Sequence, residues 1–525
     1  MSRKFYLISP APDAPSYTDI EAMREITGRP TAHIVALALP TVAAMVPDDF
    51  EIILCDECVT PIDFDSGADY IGLTAMVSNW RRASEIAGKF RRRGKTVIIG
   101  GPHASLRPEV VRPCCDILVR GELENIADEL FADLRSGEWK PEYIGTAIDL
   151  SHSPKPRLDL YPNDRALSGA LQISRGCPFQ CEFCDVIQYQ GRKQRHKTIP
   201  QVIAELEQLR DVGYGYVFLV DDNLTAHRKR AKALLRVIRD WNDRQVKKIT
   251  FATQVSIEAA GDDELLRLLA EAGIVEVFVG IETPNAESLE DVKKQQNNKY
   301  NLTEHIERFV KAGIAVIGGM IVGFDADRSD IFEKQFEFAM SLPVPIFTAN
   351  VLYAPESTPL YARLKREGRI HDNDSDRPLT LCGTNIVPKH MTREELQDGL
   401  MWLCNKLYSP RAFEKRLRRV AGMIGKRPDR QKTGAVPGRT VLRPVDHEYS
   451  ALLRKLPRLG LAEAAMALRF LLYVFRHPRA AGIVIRYLAF YVQVRHMYNR
   501  ERFWHPELAR QENPAIEATE LALAS

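Results

Sequence analysis

Three cysteines fall within eight residues in the segment Ser174-Arg175-Gly176-Cys177-Pro178-Phe179-Gln180-Cys181-Glu182-Phe183-Cys184. At spacings of four and three, one short loop can turn all three sulfurs toward a common point, which is a metal-ligand arrangement. Three thiolates are one fewer than a closed tetrahedral zinc site or an ordinary iron-sulfur cluster uses. An iron-sulfur cluster held by three therefore keeps one iron open to a small molecule. The alternatives are three buried structural cysteines, or a zinc site whose fourth ligand is a distant residue such as His196.

The elements around this loop set its position. Before it, short β-branched runs bounded by Gly, Pro or Asp read as buried strands at Lys4 to Ser9, Glu51 to Cys55, Tyr70 to Met76, Thr96 to Gly100 and Asp116 to Val119. Helical spacing at Trp80 to Arg93 and Asn125 to Arg135 lies between and after them, so residues 1–150 predict a doubly wound, Rossmann-like domain with ligands at the carboxyl ends of its strands. A proline-punctuated linker follows over 151–167. Residues 168–365 alternate again, with strands at Gly169 to Ser174, Tyr216 to Val220, Ile249 to Gln254, Glu276 to Ile281, Ala315 to Val322 and Ile346 to Leu352. Six such units predict a partial (β/α)6 barrel with active residues just after the strands, and the cysteine loop follows the first of them. Residues 366–525 read as mostly helical, with a Gly/Pro/Arg-rich connection from Gly425 to Pro444.

Composition narrows the classes further. The chain has 525 residues, 45% hydrophobic and 27% charged, so it buries a large core and is neither disordered nor a single small module. Nine cysteines are too few for a disulfide scaffold, and no apolar run reaches the roughly 18 residues of a membrane span. With no export-signal pattern at Met1 to Pro10, the cytoplasm is the expected compartment. The net charge of +3 hides an asymmetry: residues 411–510 hold 22 Lys/Arg against 7 Asp/Glu. Within that region, Leu461 to Tyr498 is dense in apolar residues interrupted by Arg469, Arg476, Arg479, Arg486 and Arg495, a pattern of either a packed cap or a helix lying on an anionic membrane surface. Nucleic acid is not expected, because the basic residues alternate with Leu, Val and Phe instead of forming a polar stripe. The basic loop Gly191 to Lys197 reads as solvated or as facing a ligand's phosphate or carboxylate.

The Cys-x3-Cys-x2-Cys loop, with aromatic Phe183 before its last cysteine, resembles that of the radical S-adenosylmethionine enzymes. The resemblance implies that Cys177, Cys181 and Cys184 hold a [4Fe-4S] cluster whose open iron binds the amino and carboxylate groups of S-adenosylmethionine. It implies that reduction then yields a deoxyadenosyl radical. Where such enzymes often carry Gly-Gly-Glu after the second strand, this chain has Asp221-Asp222-Asn223, any of which can accept hydrogen bonds from the cofactor's ammonium. Gly319-Met320-Ile321-Val322-Gly323 fits the Gly-x-Ile-x-Gly stretch near the adenine, with its acid displaced to Asp325 or Asp327, and Glu282 is a candidate for the ribose or methionine part.

Gly100-Gly101-Pro102-His103 and Gly121-Glu122, each after a strand, resemble the turns of the cobalamin-binding domain that precedes the barrel in cobalamin-dependent radical enzymes. Gly100, Gly101, His103, Gly121 and Glu122 are the expected contacts. The Asp-x-His-x-x-Gly motif of many cobalamin domains is absent, since the corresponding residues read Cys55-Asp56-Glu57-Cys58-Val59-Thr60-Pro61, so no protein histidine is expected beneath cobalt. The Cys55/Cys58 pair reads as packing. Domain order, and the stretch Cys181-Glu182-Phe183-Cys184-Asp185-Val186-Ile187-Gln188-Tyr189 followed by Gly191-Arg192-Lys193, most resemble the hopanoid C-2 methylases. The implied activity is methylation of an unactivated carbon of a polycyclic lipid. Flavodoxin or ferredoxin would be the electron donor, and the protein would make peripheral contact with the inner face of a membrane. A tetrapyrrole substrate, or a non-catalytic cobalamin or redox sensor, are the alternatives.

Overall fold

The computed structural model describes residues 3–13, 28–371, 382–424 and 448–511, together with Tyr17, Glu21, Arg24 and Glu25. In the first sheet, strands β1 (Arg3–Ser9), β3 (Phe50–Asp56), β4 (Tyr70–Thr74), β5 (Thr96–Gly100), β6 (Ile117–Arg120) and β7 (Glu142–Ile144) lie in the order β3-β1-β4-β5-β6-β7, all parallel. Alternation along β1 sends Phe5 and Leu7 into one apolar cluster and Tyr6 and Ile8 into another, so both faces are covered, as a parallel sheet requires. The helix Trp80–Arg91 covers one face with Ala83, Ile86, Ala87 and Phe90, spaced as one buried stripe. Strand order reverses between β1 and β4, which opens a crevice at the carboxyl ends of these two strands.

The second sheet contains all six expected strands: β8 (Ala166–Leu171), β11 (Tyr216–Leu219), β12 (Thr250–Gln254), β13 (Ile274–Glu282), β14 (Ala315–Val322) and β15 (Ile346–Val351). Their order, β15-β14-β13-β12-β11-β8, is that of a curled, open half-barrel with parallel neighbours, and helices such as Ile199–Asp211, Arg228–Asp243 and Leu302–Lys311 cross between strands. A seventh strand, β2 (Ala32–Ile34), joins the free edge of β8. The expected unit 1–150 is therefore not self-contained: its own chain extends the barrel sheet. The stretch 151–167 is strapped down rather than loose. Tyr161 donates its hydroxyl to Asp56 Oδ2 at 2.6 Å, and the Arg157 amide donates to the Pro40 carbonyl at 2.8 Å.

The C-terminal region is helical where described, with Pro359–Arg366, Arg393–Leu407, Pro410–Ile424, Glu448–Lys455, Leu461–Arg476 and Ala481–Arg500. The expected Gly425 to Pro444 connection lies outside the described residues. Helices Pro410–Ile424 and Ala481–Arg500 close the amino end of the barrel: Arg419 donates to the Ser341 carbonyl before β15, and Tyr487 donates to Glu276 Oε2 near the start of β13 at 2.6 Å. The opposite, carboxyl end is left to the cysteine loop. At least three of the five arginines expected to interrupt an apolar face engage the protein itself, Arg486 reaching Glu276 at 4.0 Å and lying over the Tyr216 ring. Arg495 is buried against Glu463, and Arg469 grips Glu414.

Candidate active site at the carboxyl ends of the two sheets

The loop bearing the cysteines is fixed by its own backbone. Gly176 has φ +94°, and a Cβ there would stand 2.8 Å from the Gly191 carbonyl oxygen and 2.9 Å from that of Lys193, so only glycine lets the loop cross this return segment. The two-residue strands β9 (Ser174–Arg175) and β10 (Arg195–His196) pair antiparallel to close the loop's base. At its tip the Glu182 amide donates to the Val292 carbonyl at 3.0 Å and its carboxylate meets Lys293 at 2.7 Å and Arg363 at 3.3 Å, while Phe183 packs on Phe324. The Cys177, Cys181 and Cys184 thiols lie within electrostatic reach of one another, and burial pushes Cys177 up and Cys184 up to about 12. Thiols so placed become ligands only when a positive centre supplies the missing charge. Among the described residues, no three His, Cys, Asp or Glu side chains converge closely enough to share one ion. Thiolates of a multi-iron cluster each take a different iron and stand farther apart than ligands of a single ion. His196, the alternative zinc ligand, packs its ring at 5.9 Å from that of His227.

The three polar residues after β11 have separate roles. Asp221 is fully buried; its Oδ1 accepts the amides of Ile173 (2.7 Å) and Ser174 (2.9 Å) and its Oδ2 accepts the Ser174 hydroxyl (3.0 Å). These bonds end β8 at Leu171, three residues before the expected Ser174. Asn223 spends its amide on Ser256 and its oxygen on Thr225. Asp222 alone remains available, beside Cys177 and Tyr189, with burial raising it to about 6 against the pull of the Gly176 amide. Desolvation raises Asp221 to about 7 by the same means.

Across the loop sits a pair that sequence reading half missed. Glu282, the last residue of β13, has φ +64° and forms a buried ion pair with Lys294, whose ammonium lies 5.8 Å from the Phe183 ring centre. Burial opposes the charge of Lys294, but Glu282, Cys181 and Cys184 outweigh it and raise its pKa. Gly280 makes room: a Cβ there would come within 2.6 Å of both Glu282 Oε1 and Lys294 Nζ. Gln296 also points its amide at the Cys181 sulfur, 3.7 Å away. Lys294 and Gln296 lie in a run, Lys293-Lys294-Gln295-Gln296, that reads as a solvated surface.

Within β14 and just after it, the expected glycines serve packing. A Cβ on Gly319 would meet Phe278 at 2.9 Å, and one on Gly323, at φ +98°, would meet Leu396 at 2.9 Å. Ile321 packs with Phe183 and Phe324. Neither displaced acid is free: Asp325 binds Arg363 and Arg369, and Asp327 accepts the Gly323 and Phe324 amides.

Facing the cysteine loop, a cavity of about 440 Å³ opens at the carboxyl ends of the first sheet. Gly100, Gly101, Gly121 and Glu122 line it from one side, Arg175 and Tyr189 from the other. Gly101 (φ +101°) and Gly121 (φ +73°) are required, because a Cβ would lie 2.8 Å from the Ala75 carbonyl oxygen and 2.0 Å from that of Gly145. His103 departs from expectation. It does not line the cavity; it turns inward to stack on Trp80 at 4.9 Å, where burial drops its pKa to about 4. Among the described residues no histidine lines this cavity. Glu122 is committed to Arg195 (2.5 Å) and Arg175 (3.4 Å), so it locks the first sheet to the barrel. The basic loop divides: Arg192 and Lys193 are exposed, Arg195 is bound to Glu122, and Lys197 is buried against Glu205. Cys55, buried at 3.4 Å from the Thr60 carbonyl oxygen, is a packing residue as expected.

Residues 171–334 match the model of the radical SAM superfamily, and 358–506 match a domain of unknown function, DUF4070. The chain is 33% identical over 413 residues to the uncharacterized methyltransferase sll1242 of Synechocystis, covering 76% of this chain and 75% of that protein. It is 33% identical over 388 residues to the hopanoid C-2 methylase of Rhodopseudomonas palustris, covering 72% of each. Among solved structures, the cobalamin-dependent S-adenosylmethionine radical enzyme OxsB, with aqua-cobalamin and S-adenosylmethionine bound, superposes with a TM-score of 0.59 at 16% identity, over 95% of this chain and 80% of that one. The chain belongs to the radical S-adenosylmethionine superfamily and, within it, to the methyltransferases.

Proposed function

We propose that the protein is a cobalamin-dependent radical methyltransferase that methylates an unactivated carbon of a polycyclic lipid, the C-2 position of a hopanoid. The observation that carries this reading is the cavity, which joins the glycine turns of the first sheet to the base of the cysteine loop. A donor set of three thiols suits a cluster with one open iron, and an apolar cavity floored by side-chain-free turns suits a bulky planar cofactor. Bound together, the cluster, S-adenosylmethionine and cobalamin would supply hydrogen abstraction and methyl delivery, chemistry that no side chain offers at an sp³ carbon.

The chain's own residues position and exclude. Cys177, Cys181 and Cys184 would hold the cluster, and Asp222 would accept hydrogen bonds from the S-adenosylmethionine ammonium. Lys294 and Glu282 keep the loop's far wall charged but water-poor, and Glu122, Arg175 and Arg195 hold the two cofactor sites in register. Among the described residues the cavity lining offers no histidine, so a bound cobalamin would be held by the glycine turns and apolar walls. The substrate reading is supported by the hopanoid methylase relative at 33% identity. A flavodoxin or ferredoxin would deliver the electron. Lipid profiling of cells with and without the gene tests the substrate: 2-methylated hopanoids are expected to vanish with it. If methylation of a tetrapyrrole is lost instead, the lipid assignment fails.

A further inference from the structure

The helix Leu461–Arg476 packs inward through Met466 and Phe470, while Arg418 caps the Phe470 and Tyr473 rings at 5.3 and 5.2 Å. Its other side is bare and apolar. Leu461, Leu468, Leu471, Leu472 and Phe475 are 93%, 58%, 68%, 50% and 88% exposed. At 100° per residue these five positions fall within about one quarter to one third of the helix circumference, so they form one continuous stripe. Singly exposed leucines are ordinary, but a contiguous stripe ending in an almost fully exposed phenylalanine marks an interaction surface.

Charge selects the occupant. Between residues 454 and 486 there are seven Lys/Arg and one acid, Glu463, which is buried against Arg495. Exposed Arg458 precedes the helix, and exposed Arg476 and His477 end it beside the stripe. No exposed carboxylate borders the apolar stripe from this segment, so it offers nothing to pair with a second copy's arginines. An anionic lipid surface supplies both things the face asks for: phosphates for the arginines and an acyl boundary for Leu471, Leu472 and Phe475. No described helix is long and apolar enough to cross a membrane, which leaves a helix lying in the interface.

We infer that Leu461–Arg476 is a membrane-docking helix that seats on anionic phospholipid through this stripe. Its neighbours Pro410–Ile424 and Ala481–Arg500 cover the amino end of the barrel, so the anchor sits away from the cysteine loop and acts independently of the chemistry and of the substrate's identity.

The test is co-sedimentation of the full chain with hopanoid-free vesicles of phosphatidylcholine alone or with phosphatidylglycerol. Binding is expected to the anionic vesicles, weakened by salt, and to fall at least about tenfold in Leu471→Ser/Phe475→Ser, with S-adenosylmethionine cleavage in detergent-free buffer unchanged. Phe475→Leu should retain it, and Arg458→Gln/Arg476→Gln, which leaves the apolar stripe intact, should lose it on anionic vesicles. Absence of wild-type binding overturns the inference. So does binding indifferent to both double variants, or a lipid-free dimer that Leu471→Ser/Phe475→Ser converts to a monomer.

Discussion

Asp221 and Asp222 are adjacent and chemically identical, yet the fold separates their work, and substitution should show it. Asp221→Ala leaves two buried amides without an acceptor and is expected to cost about 2–4 kcal/mol in denaturant unfolding. Asp222→Ala should leave stability almost unchanged and weaken S-adenosylmethionine binding to the reconstituted protein, read by calorimetry; equal effects of the two would contradict the division. The Glu282–Lys294 pair makes a second residue-scale prediction. Lys294→Met strands a buried carboxylate and is expected to destabilise the fold by about 3–5 kcal/mol, and adding Glu282→Gln should recover much of that loss. The cysteine triad was legible in the sequence because spacing alone reports three thiols on one short loop. Lys294 was not, because a lysine drawn from a run of polar residues shows its burial only when β13 and the loop after it are folded over the cysteines. His103 read as a cofactor contact for the converse reason: sequence gives its place after the strand, while its direction depends on Trp80, which lies 23 positions earlier.

At the scale of elements, the strands β5 and β14 match their expected bounds, since each is a β-branched or apolar run ended by glycine or a turn. Strand β2, only three residues long, carries no such signal; it exists because β8 offers it an open edge, a tertiary reason. The turns after β5 and β6 are where backbone conformation keeps the cavity open. Gly121→Ala forces a Cβ into the Gly145 carbonyl and imposes a positive φ on an L side chain, so it is expected to lower stability by more than about 1 kcal/mol and to abolish cobalamin retention through gel filtration. Retention at the wild-type level would mean that the cavity is not the cofactor's seat. Arg195→Gln removes the grip on Glu122 while sparing the thiols, and should loosen the two units without loss of iron.

Across the whole molecule, buried ionisable groups act in opposite directions: Asp221 and Asp222, raised to about 7 and about 6, lose stability as pH rises from the ordinary carboxylate range to those values, whereas His103 loses it as pH falls. His103 takes a proton near 6.5 in the unfolded chain but only near 4 in the fold, so the unfolded state binds more protons as pH falls through that window and stability is lost there. Replacing it by Phe, which keeps the stack on Trp80, should reduce the loss between pH 6.5 and 4 by about 2–3 kcal/mol in chemical unfolding. Two sheets, an interlocking strand β2 and a helical closure at the barrel's amino end bring the glycine turns opposite the cysteine loop. The most direct test of that arrangement is anaerobic reconstitution with iron, sulfide and cobalamin, followed by reduction in the presence of S-adenosylmethionine and assay for 5′-deoxyadenosine. The wild-type chain is predicted to form it and to carry a [4Fe-4S] spectrum, while Cys181→Ser does neither; a protein that holds only zinc, or a Cys181→Ser variant that still cleaves the cofactor, would contradict the account.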